Sequence, residues 1–411
     1  MNPGGVPWRT KDVWAISLSA FFADLGYQAV LAGFPLLLVL TLHQPVWEYG
    51  LASAVSYGGG AVFSYVGGRV GDRVGHRSVA LVGNSLIPLL SLCALVASPA
   101  WAIGMLTGGW WARNFRSPSR RVMLVDAVPD EQHRSSAFGF LHALDVGGGA
   151  LAGVYILIAV SQHVELRWIF LATAVPLVVS TLSLTRVAPG QPKARPDPKP
   201  SPVPGNAPVT AAAHPRPPGT RPLLVAAVLY GFTFYSVGFP VLTVAQGSGR
   251  LVDGLGAFLL LQTVSAATGY VLGGRLGSGP ADQFTRLGLL GYLGAAAGAA
   301  LLAAGYGAHL GLGVLYLGVA VIGFSLGIVE TLEPTAMSVF RTGAGAGRGM
   351  GSLSAARSVG TFVANLAMGL LYTLGAAYAY GYAAALAAAA AVVVLVSVPA
   401  LRIWQEERSH L

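Results

Sequence analysis

Charged residues are scarce in this chain of 411 residues. Asp, Glu, Lys and Arg together make up only 10% of it, while apolar residues make up 54% and the mean hydropathy is +0.64. An ordinary soluble domain devotes about a quarter of its residues to charge, because its surface faces water. The composition therefore excludes a soluble globular protein and indicates a chain that lies largely within a lipid bilayer.

Cysteine is almost absent, which excludes several kinds of chemistry. Cys93 is the one cysteine, so the chain forms no internal disulfide, and no CxxC or His-Cys grouping suggests a metal centre. A nucleotide-binding loop of the form GxxxxGK[S/T] is also missing, so ATP is not the evident energy source. No nucleophile and base arrangement stands out. We therefore expect neither an enzyme nor a bound cofactor, and we assign no catalytic residue.

Long apolar runs organise the rest of the sequence. A helix needs about 20 apolar residues to cross the hydrocarbon core, and the chain contains twelve such runs. Their approximate bounds are 13–42, 47–70, 78–98, 101–124, 136–160, 168–186, 222–246, 254–277, 286–306, 310–334, 349–374 and 378–402. The pattern predicts an all-α membrane protein, with six helices on each side of a central break.

The break between the sixth and seventh runs has the composition of a linker. Residues 188–221 contain 11 of the 25 prolines and several cations, and such a segment cannot bury a core. We predict an N-terminal six-helix bundle over residues 1–187, a Pro-rich cytoplasmic linker over 188–221 and a C-terminal six-helix bundle over 222–411.

Basic residues predict how the helices are oriented. With both termini in the cytoplasm, the outward loops hold only Arg167 and Arg250 among the 25 Lys and Arg residues. Cytoplasmic loops collect these cations, so the net charge of +9 reflects topology and gives no support to nucleic-acid binding. Arg outnumbers Lys, and Ala and Gly are abundant, as in GC-rich bacterial genomes. We expect a multi-pass protein of the bacterial cytoplasmic (inner) membrane.

The stretch GGRVGDRVGHR, Gly67 to Arg77, follows the second run and predicts a charged, glycine-rich turn. It resembles the loop signature of the major facilitator superfamily, whose slots are filled here by Gly68, Asp72, Arg73, Gly75, His76 and Arg77. The resemblance implies two pseudosymmetric six-helix bundles and secondary transport by alternating access. It also implies that this loop locks the halves on the cytoplasmic side, with the eleventh helix as neighbour and Asp126 as acidic partner. The alternative is that these residues are ordinary topology-setting charges.

Ionisable residues inside apolar runs are costly and usually functional. Asp24 lies in the middle of the first run, where a carboxylate either couples proton movement, binds a cation or serves a structural role. Arg113, Arg116 and Arg120 fall within about 60° on one face of a helix. This row either attracts an anionic substrate, or Arg113 and Arg116 are structural partners of Asp145 and Asp126.

The second half carries an opposite set of charges. Glu330 and Glu333 lie one turn apart in the tenth run, and Arg357 lies in the eleventh. We expect salt bridges across the halves, proton binding at one of the acids or a structural pair.

Aromatic residues in the seventh run predict either a substrate pocket or helix packing. These residues are Tyr230, Phe234 and Tyr235.

These patterns lead to one functional hypothesis with alternatives. We predict a secondary transporter, with a small molecule or ion as substrate, protons as coupling ion, membrane lipids around it and a monomeric state. By resemblance to exporters of the family, whose fifth helix carries a glycine pattern ending in Gly-Pro, Gly139, Gly149 and Gly153 approximate this pattern, but Val154 replaces the proline. The resemblance to an exporting antiporter is therefore partial, and import stays the alternative. The alternatives are a metal-ion or metal-chelate carrier using Asp24, with its metal unknown, and an anionic-metabolite carrier using Arg113 and Arg116.

Overall fold

A computed structural model describes residues 8–128, 131–188, 218–231, 233, 236–273, 280–340 and 346–409. Throughout these residues the regular elements are helices, which confirms the all-α prediction. The predicted linker lies almost entirely outside the described residues, so the division into domains stays a prediction.

Within its described residues the first half contains six helices, several of them built from two segments. They are α1 (Lys11–Pro35, continued by a π-helical turn Leu36–Thr41), α2 (Val46–Val74), α3 (His76–Leu86, continued by a 3₁₀ segment Ile87–Leu92), α4 (Pro99–Ala127), α5 (Glu131–Ser161) and α6 (Leu166–Ala172 and Ala174–Thr185). Thr10 and Ser98 cap α1 and α4, each accepting a hydrogen bond from the backbone N–H three residues on.

The second half repeats this order in its described residues. Its helices are α7 (Thr220–Gly231 and Gly238–Ser248), α8 (Leu251–Gly273), α9 (Pro280–Arg286, a π-helical turn Leu287–Tyr292 and Leu293–Gly307), α10 (Leu312–Phe340), α11 (Ala346–Leu374) and α12 (Ala376–Val396 and Val398–Ser409). Seven of the twelve helices are long and apolar enough to cross a membrane, as judged over the described residues. For the other five, crossing remains a prediction.

The stretch from Gly67 to Arg77 is helical except at Gly75, so the predicted glycine-rich turn is present but only one residue long. Helix α2 continues to Val74, Gly75 alone makes the turn with φ of 95°, and α3 begins at His76. The earlier glycines lie within the helix, where the absence of a side chain lets α2 approach α4 closely. A Cβ at Gly71 would lie 2.7 Å from the Ser119 hydroxyl. Gly75 is thus the position that needs glycine for its backbone.

Each half has its chain ends on one side, which we call the terminal side; the opposite side is the far side. In the first half, the Arg77 guanidinium donates to the carbonyls of Thr185 and Val187 at the end of α6. The backbone N–H of Ala188 donates to Asp12 at the start of α1. In the second half, Gly219 lies against Phe340 and Leu401, which places the start of α7 beside the ends of α10 and α12.

Apolar packing joins the halves only toward the far side in the described residues. One buried cluster runs from Phe34 and Val46 in the first half to Phe239 and Met368 in the second. Toward the terminal side each half has its own separate cluster. The two bundles therefore share a core at one end and separate toward the other.

The α2 and α11 helices show where the halves part. Gly50 lies against Asn365 and Gly369, and Gly58 lies against Phe362. One turn beyond Gly58, on the same face of α2, Val62 is 63% exposed. The face that meets α11 is thus uncovered toward the terminal side. This conformation is closed at the far side and open at the terminal side.

Replacing Gly50 with valine should open the far side. A Cβ there would lie 2.6 Å from the Asn365 carbonyl oxygen and 2.7 Å from the Gly369 Cα, and such overpacking costs about 1–3 kcal/mol. Faster alkylation of a Ser236→Cys reporter would measure the opening. Gly104→Ala in α4, where a Cβ meets no atom within 4 Å, is the matched control. An unchanged alkylation rate in the valine variant would contradict this account of the closure.

Candidate functional site

Ionisable side chains in the middle of the helices form two clusters, one in each half. The first-half cluster joins α1, α4 and α5, and the second-half cluster joins α9, α10 and α11. Helical geometry places the three arginines of the first-half cluster together, because residues three and seven positions apart share a face of α4. Its members are Asp24, Tyr27, Arg113, Arg116, Arg120 and Asp145.

Tyr27 links Asp24 to Arg113. Its hydroxyl donates to the Asp24 Oδ1 and accepts from the Arg113 Nη2 at 3.1 Å. The guanidinium carbon of Arg113 lies 5.1 Å from the ring centre of Tyr27 and 4.7 Å from that of Trp110. Cation–π contacts of this kind hold a guanidinium in place. Arg113 is thus positioned by two aromatic rings, and hydrogen bonds connect it to Asp24 through Tyr27.

Asp145 pairs with Arg120, whereas the sequence suggested Arg113 or Arg116. The Arg120 Nη2 lies 3.4 Å from each carboxylate oxygen of Asp145. The difference has a physical reason, because Tyr27 of α1 and Trp110 of α4 already hold Arg113. Arg120 lies two helical turns further along the same face of α4 and reaches α5 instead.

Arg116 is completely buried, yet none of its three guanidinium nitrogens has a hydrogen-bond partner in the part of the chain that the structure describes. The Nε of Arg113 and the Nε and Nη1 of Arg120 are unpartnered in the same way. Against these six donors stands a single unpartnered carboxylate oxygen of this cluster, the Asp24 Oδ2. Buried guanidinium donors are costly without acceptors. The first-half cluster therefore has a surplus of donors.

The second-half cluster is more completely paired. Arg357 donates from Nε to the Glu333 Oε2 at 2.6 Å and from Nη1 to the Glu330 Oε1 at 2.9 Å. Tyr292 donates to the Glu333 Oε1 at 2.5 Å. Glu333 is fully buried, whereas the Glu330 side chain is 48% exposed. Two carboxylates share one arginine, so this cluster has an excess of negative charge, and the Arg357 Nη2 is its one buried donor without a hydrogen-bond partner among the described residues.

The ion pairs described above join residues of the same half in both clusters. Salt bridges across the halves, which the sequence suggested, are not among the contacts of the described residues. A different polar contact joins the halves, because the Tyr49 hydroxyl lies 2.5 Å from the Ser236 hydroxyl. The Ser236 backbone N–H also donates to the Asn365 Oδ1 at 2.9 Å. We call Tyr49, Ser236 and Asn365 the far-side seal.

The residues of the GGRVGDRVGHR motif have neighbours within the first half. Asp72 lies 3.4 Å from the His76 Nε2, and the His76 Nδ1 lies 3.2 Å from the Ser119 hydroxyl. Arg73 and Asp126 are exposed, and Gly68 packs against Pro118. The terminal side is open in this conformation. The lock between this motif, Asp126 and α11 therefore stays a prediction for the opposite state.

Aromatic residues of α7 are described only in part. Tyr230 lies 5.1 Å from Tyr292 between ring centres and, with Thr233 and Pro240, lines a small cavity inside the second half. This position supports a packing role for Tyr230 next to the Glu333 cluster. Phe234 and Tyr235 lie outside the described residues.

Two helical bundles, which meet at the far side and carry charged clusters in the middle of their helices, define a helical membrane protein. Residues 16–345 match the sequence profile of the Major Facilitator Superfamily. The chain belongs to this family.

Solved structures agree with this assignment. The chain is similar to a bacterial homologue of the human lysosomal transporter Spinster in an inward-facing, unoccupied conformation, with 15% identity, a TM-score of 0.66 and coverage of 97% of both chains. It is also similar to a D-xylose–proton symporter, with 12% identity, a TM-score of 0.72 and coverage of 93% of this chain and 97% of that one. At this level of identity the likeness shows the fold alone. No curated protein sequence matches the chain.

Proposed function

We propose that the chain is a proton-coupled secondary transporter that carries a small, negatively charged solute by alternating access. In this proposal the solute binds between the halves beside Arg113, and Asp24 carries the proton. The structure is one end state of the cycle, closed by the far-side seal. Rocking of the halves would open this seal and bring the GGRVGDRVGHR motif toward α11.

Proton coupling is supported by the surroundings of Asp24. Asp24 is 5% exposed, its Oδ1 accepts from Tyr27, and its Oδ2 receives no hydrogen bond from a donor among the described residues. Gain or loss of a proton here changes the charge that Tyr27 and Arg113 meet. Such a change alters the contact of α1 with α4, which links protonation to rearrangement of the helices.

A negatively charged solute is supported by the donor surplus of the first-half cluster, and this observation carries the proposal. Unpartnered nitrogens on Arg113, Arg116 and Arg120 match the acceptor oxygens of a carboxylate or phosphate. A metal ion is less well supported, because it needs several oxygen, nitrogen or sulfur ligands. The described residues contain no group of three or more His, Cys, Asp or Glu residues that could hold one.

A thermal-shift screen of the purified protein against organic anions, metal salts and drug-like cations would test the class of solute. We expect stabilisation by an anion, and Arg113→Gln should raise its Kd at least tenfold, since a charged hydrogen bond contributes about 1.5–3 kcal/mol. Arg121→Gln, an exposed arginine of the same helix, is the matched control. Stabilisation by metal salts alone would overturn the anion proposal.

The orientation belongs to the same proposal. We infer that the terminal side, with both termini, faces the cytoplasm of a bacterial inner membrane, because the far-side turns hold few cations. The glycines of α5 favour export. Reporter fusions at the C-terminus would test the orientation, and the direction of flux in cells would test export. A periplasmic C-terminus would contradict the assignment.

A further inference from the structure

A groove of about 720 Å³ lies on the far side, at the boundary between the halves. The first half contributes the end of α1, the end of α5 and the turns that precede α4 and α6; the second half contributes the start of α8. The groove lies apart from both charged clusters, which are in the middle of the helices. It is therefore a second candidate site, independent of the proposed transport path.

Two arginines line this groove, although the chain places nearly all its other cations on the terminal side. They are Arg167 and Arg250, the same two residues that are the only Lys or Arg in the predicted outward loops. The guanidinium carbon of Arg167 lies 5.2 Å from the ring centre of Trp168. Arg250 follows Gly249, whose φ of 71° turns the chain from α7 into α8. Glu165 is the one carboxylate in the lining, so the groove carries an excess of one positive charge when its His163 is neutral.

The remaining walls of the groove are mostly apolar. Leu37, Leu42, Val96, Val160, Val164 and Val252 form much of the lining. The groove also lies at the ends of membrane helices, where headgroups and acyl chains meet. A ligand that fits must present one negative charge to two arginines and apolar surface to these walls. A phosphodiester with attached acyl chains has this combination, whereas a small hydrophilic anion would leave the apolar walls unused.

We propose that this groove binds one anionic phospholipid of the far-side leaflet, with its phosphodiester held by Arg167 and Arg250. Arginine pairs bidentately with phosphate oxygens, and basic pockets at membrane surfaces bind anionic headgroups. The apolar walls take the upper part of the acyl chains.

A ligand in this groove also acts on the conformation. It contacts residues of both halves, so it binds better to the state in which they meet at the far side. Binding of the phospholipid therefore stabilises the far-side-closed state, and opening of the seal weakens the binding to the same extent.

Delipidated full-length protein in neutral detergent micelles allows a direct test. We expect phosphatidylglycerol added to the micelles to raise the melting temperature, and native mass spectrometry to detect one tightly held phosphatidylglycerol per chain. Phosphatidylcholine should do neither. The Arg167→Gln/Arg250→Gln double variant should lose the shift and the retained lipid, while Arg250→Lys should keep part of both.

Two controls distinguish lipid bound in the groove from a free anion and from lipid bound elsewhere on the protein. Arg69→Gln removes an exposed arginine from the terminal side of α2 and should leave the shift intact. An equal shift with inorganic phosphate would identify a free-anion site and overturn the lipid assignment. Suppose that the double variant melts normally without lipid and still responds fully to phosphatidylglycerol. This result would overturn the assignment of the lipid to this groove.

Discussion

Replacing Arg357 with methionine should destabilise the protein by about 3–5 kcal/mol, the cost of leaving a buried carboxylate without its cation. Glu333 is fully buried and receives the Arg357 Nε at 2.6 Å. Methionine fills much of the same volume but supplies no charge or donor. The free energy of unfolding in mixed detergent micelles, measured by loss of helical signal, would give the size of the effect.

Two further variants isolate the cause. In Arg357→Met/Glu333→Leu the stranded carboxylate is also removed, so most of the lost stability should return. Glu330→Gln weakens only the half-exposed pair, and a change of at most about 1 kcal/mol is expected. A double variant as unstable as the single one would show that packing, and not charge, explains the loss.

The sequence predicted the helical class because a long apolar run in a membrane forms a helix, in which the backbone satisfies its own hydrogen bonds. Seven runs meet this criterion in the structure. The turn after the second run is confined to Gly75 because the other glycines of the motif, although usual in turns, have another role here. At Gly67 and Gly71 they allow close contact between helices, and the sequence alone does not show which neighbour a helix will meet.

Charged residues were easier to locate than to pair. Rarity in apolar runs identified Asp24, Glu333 and Arg357, and a helical repeat placed three arginines on one face of α4. Their partners depend on how far each side chain reaches across a helix crossing, so Arg120 took the place predicted for Arg113. Tyr27, Tyr292 and Tyr49 were missed because a tyrosine in an apolar helix carries no signal that its hydroxyl is used. The far-side seal follows from tertiary contact alone.

Replacing Asp24 with asparagine should abolish accumulation driven by a proton gradient while leaving exchange intact. Asparagine keeps the shape of the side chain and an oxygen that accepts from Tyr27, but it cannot bind or release a proton. For one proton per solute, each pH unit across the membrane is worth about 1.4 kcal/mol, or up to tenfold accumulation. With an imposed pH difference of about two units, proteoliposomes that contain the native chain should thus accumulate the solute up to ~100-fold. Proteoliposomes that contain Asp24→Asn should show no accumulation.

Exchange of labelled for unlabelled solute, without any gradient, distinguishes loss of coupling from loss of transport. Because exchange requires binding and rocking but no net proton movement, the asparagine variant should retain it. Asp12→Asn, at the terminal end of the same helix and outside the charged cluster, should behave like the native chain in both assays. Accumulation by Asp24→Asn equal to the native level would remove Asp24 from the coupling mechanism and leave Glu333 or Asp145 as the carboxylate that carries the proton. Loss of exchange together with accumulation would instead show that Asp24 holds the Tyr27 and Arg113 contacts on which solute binding depends.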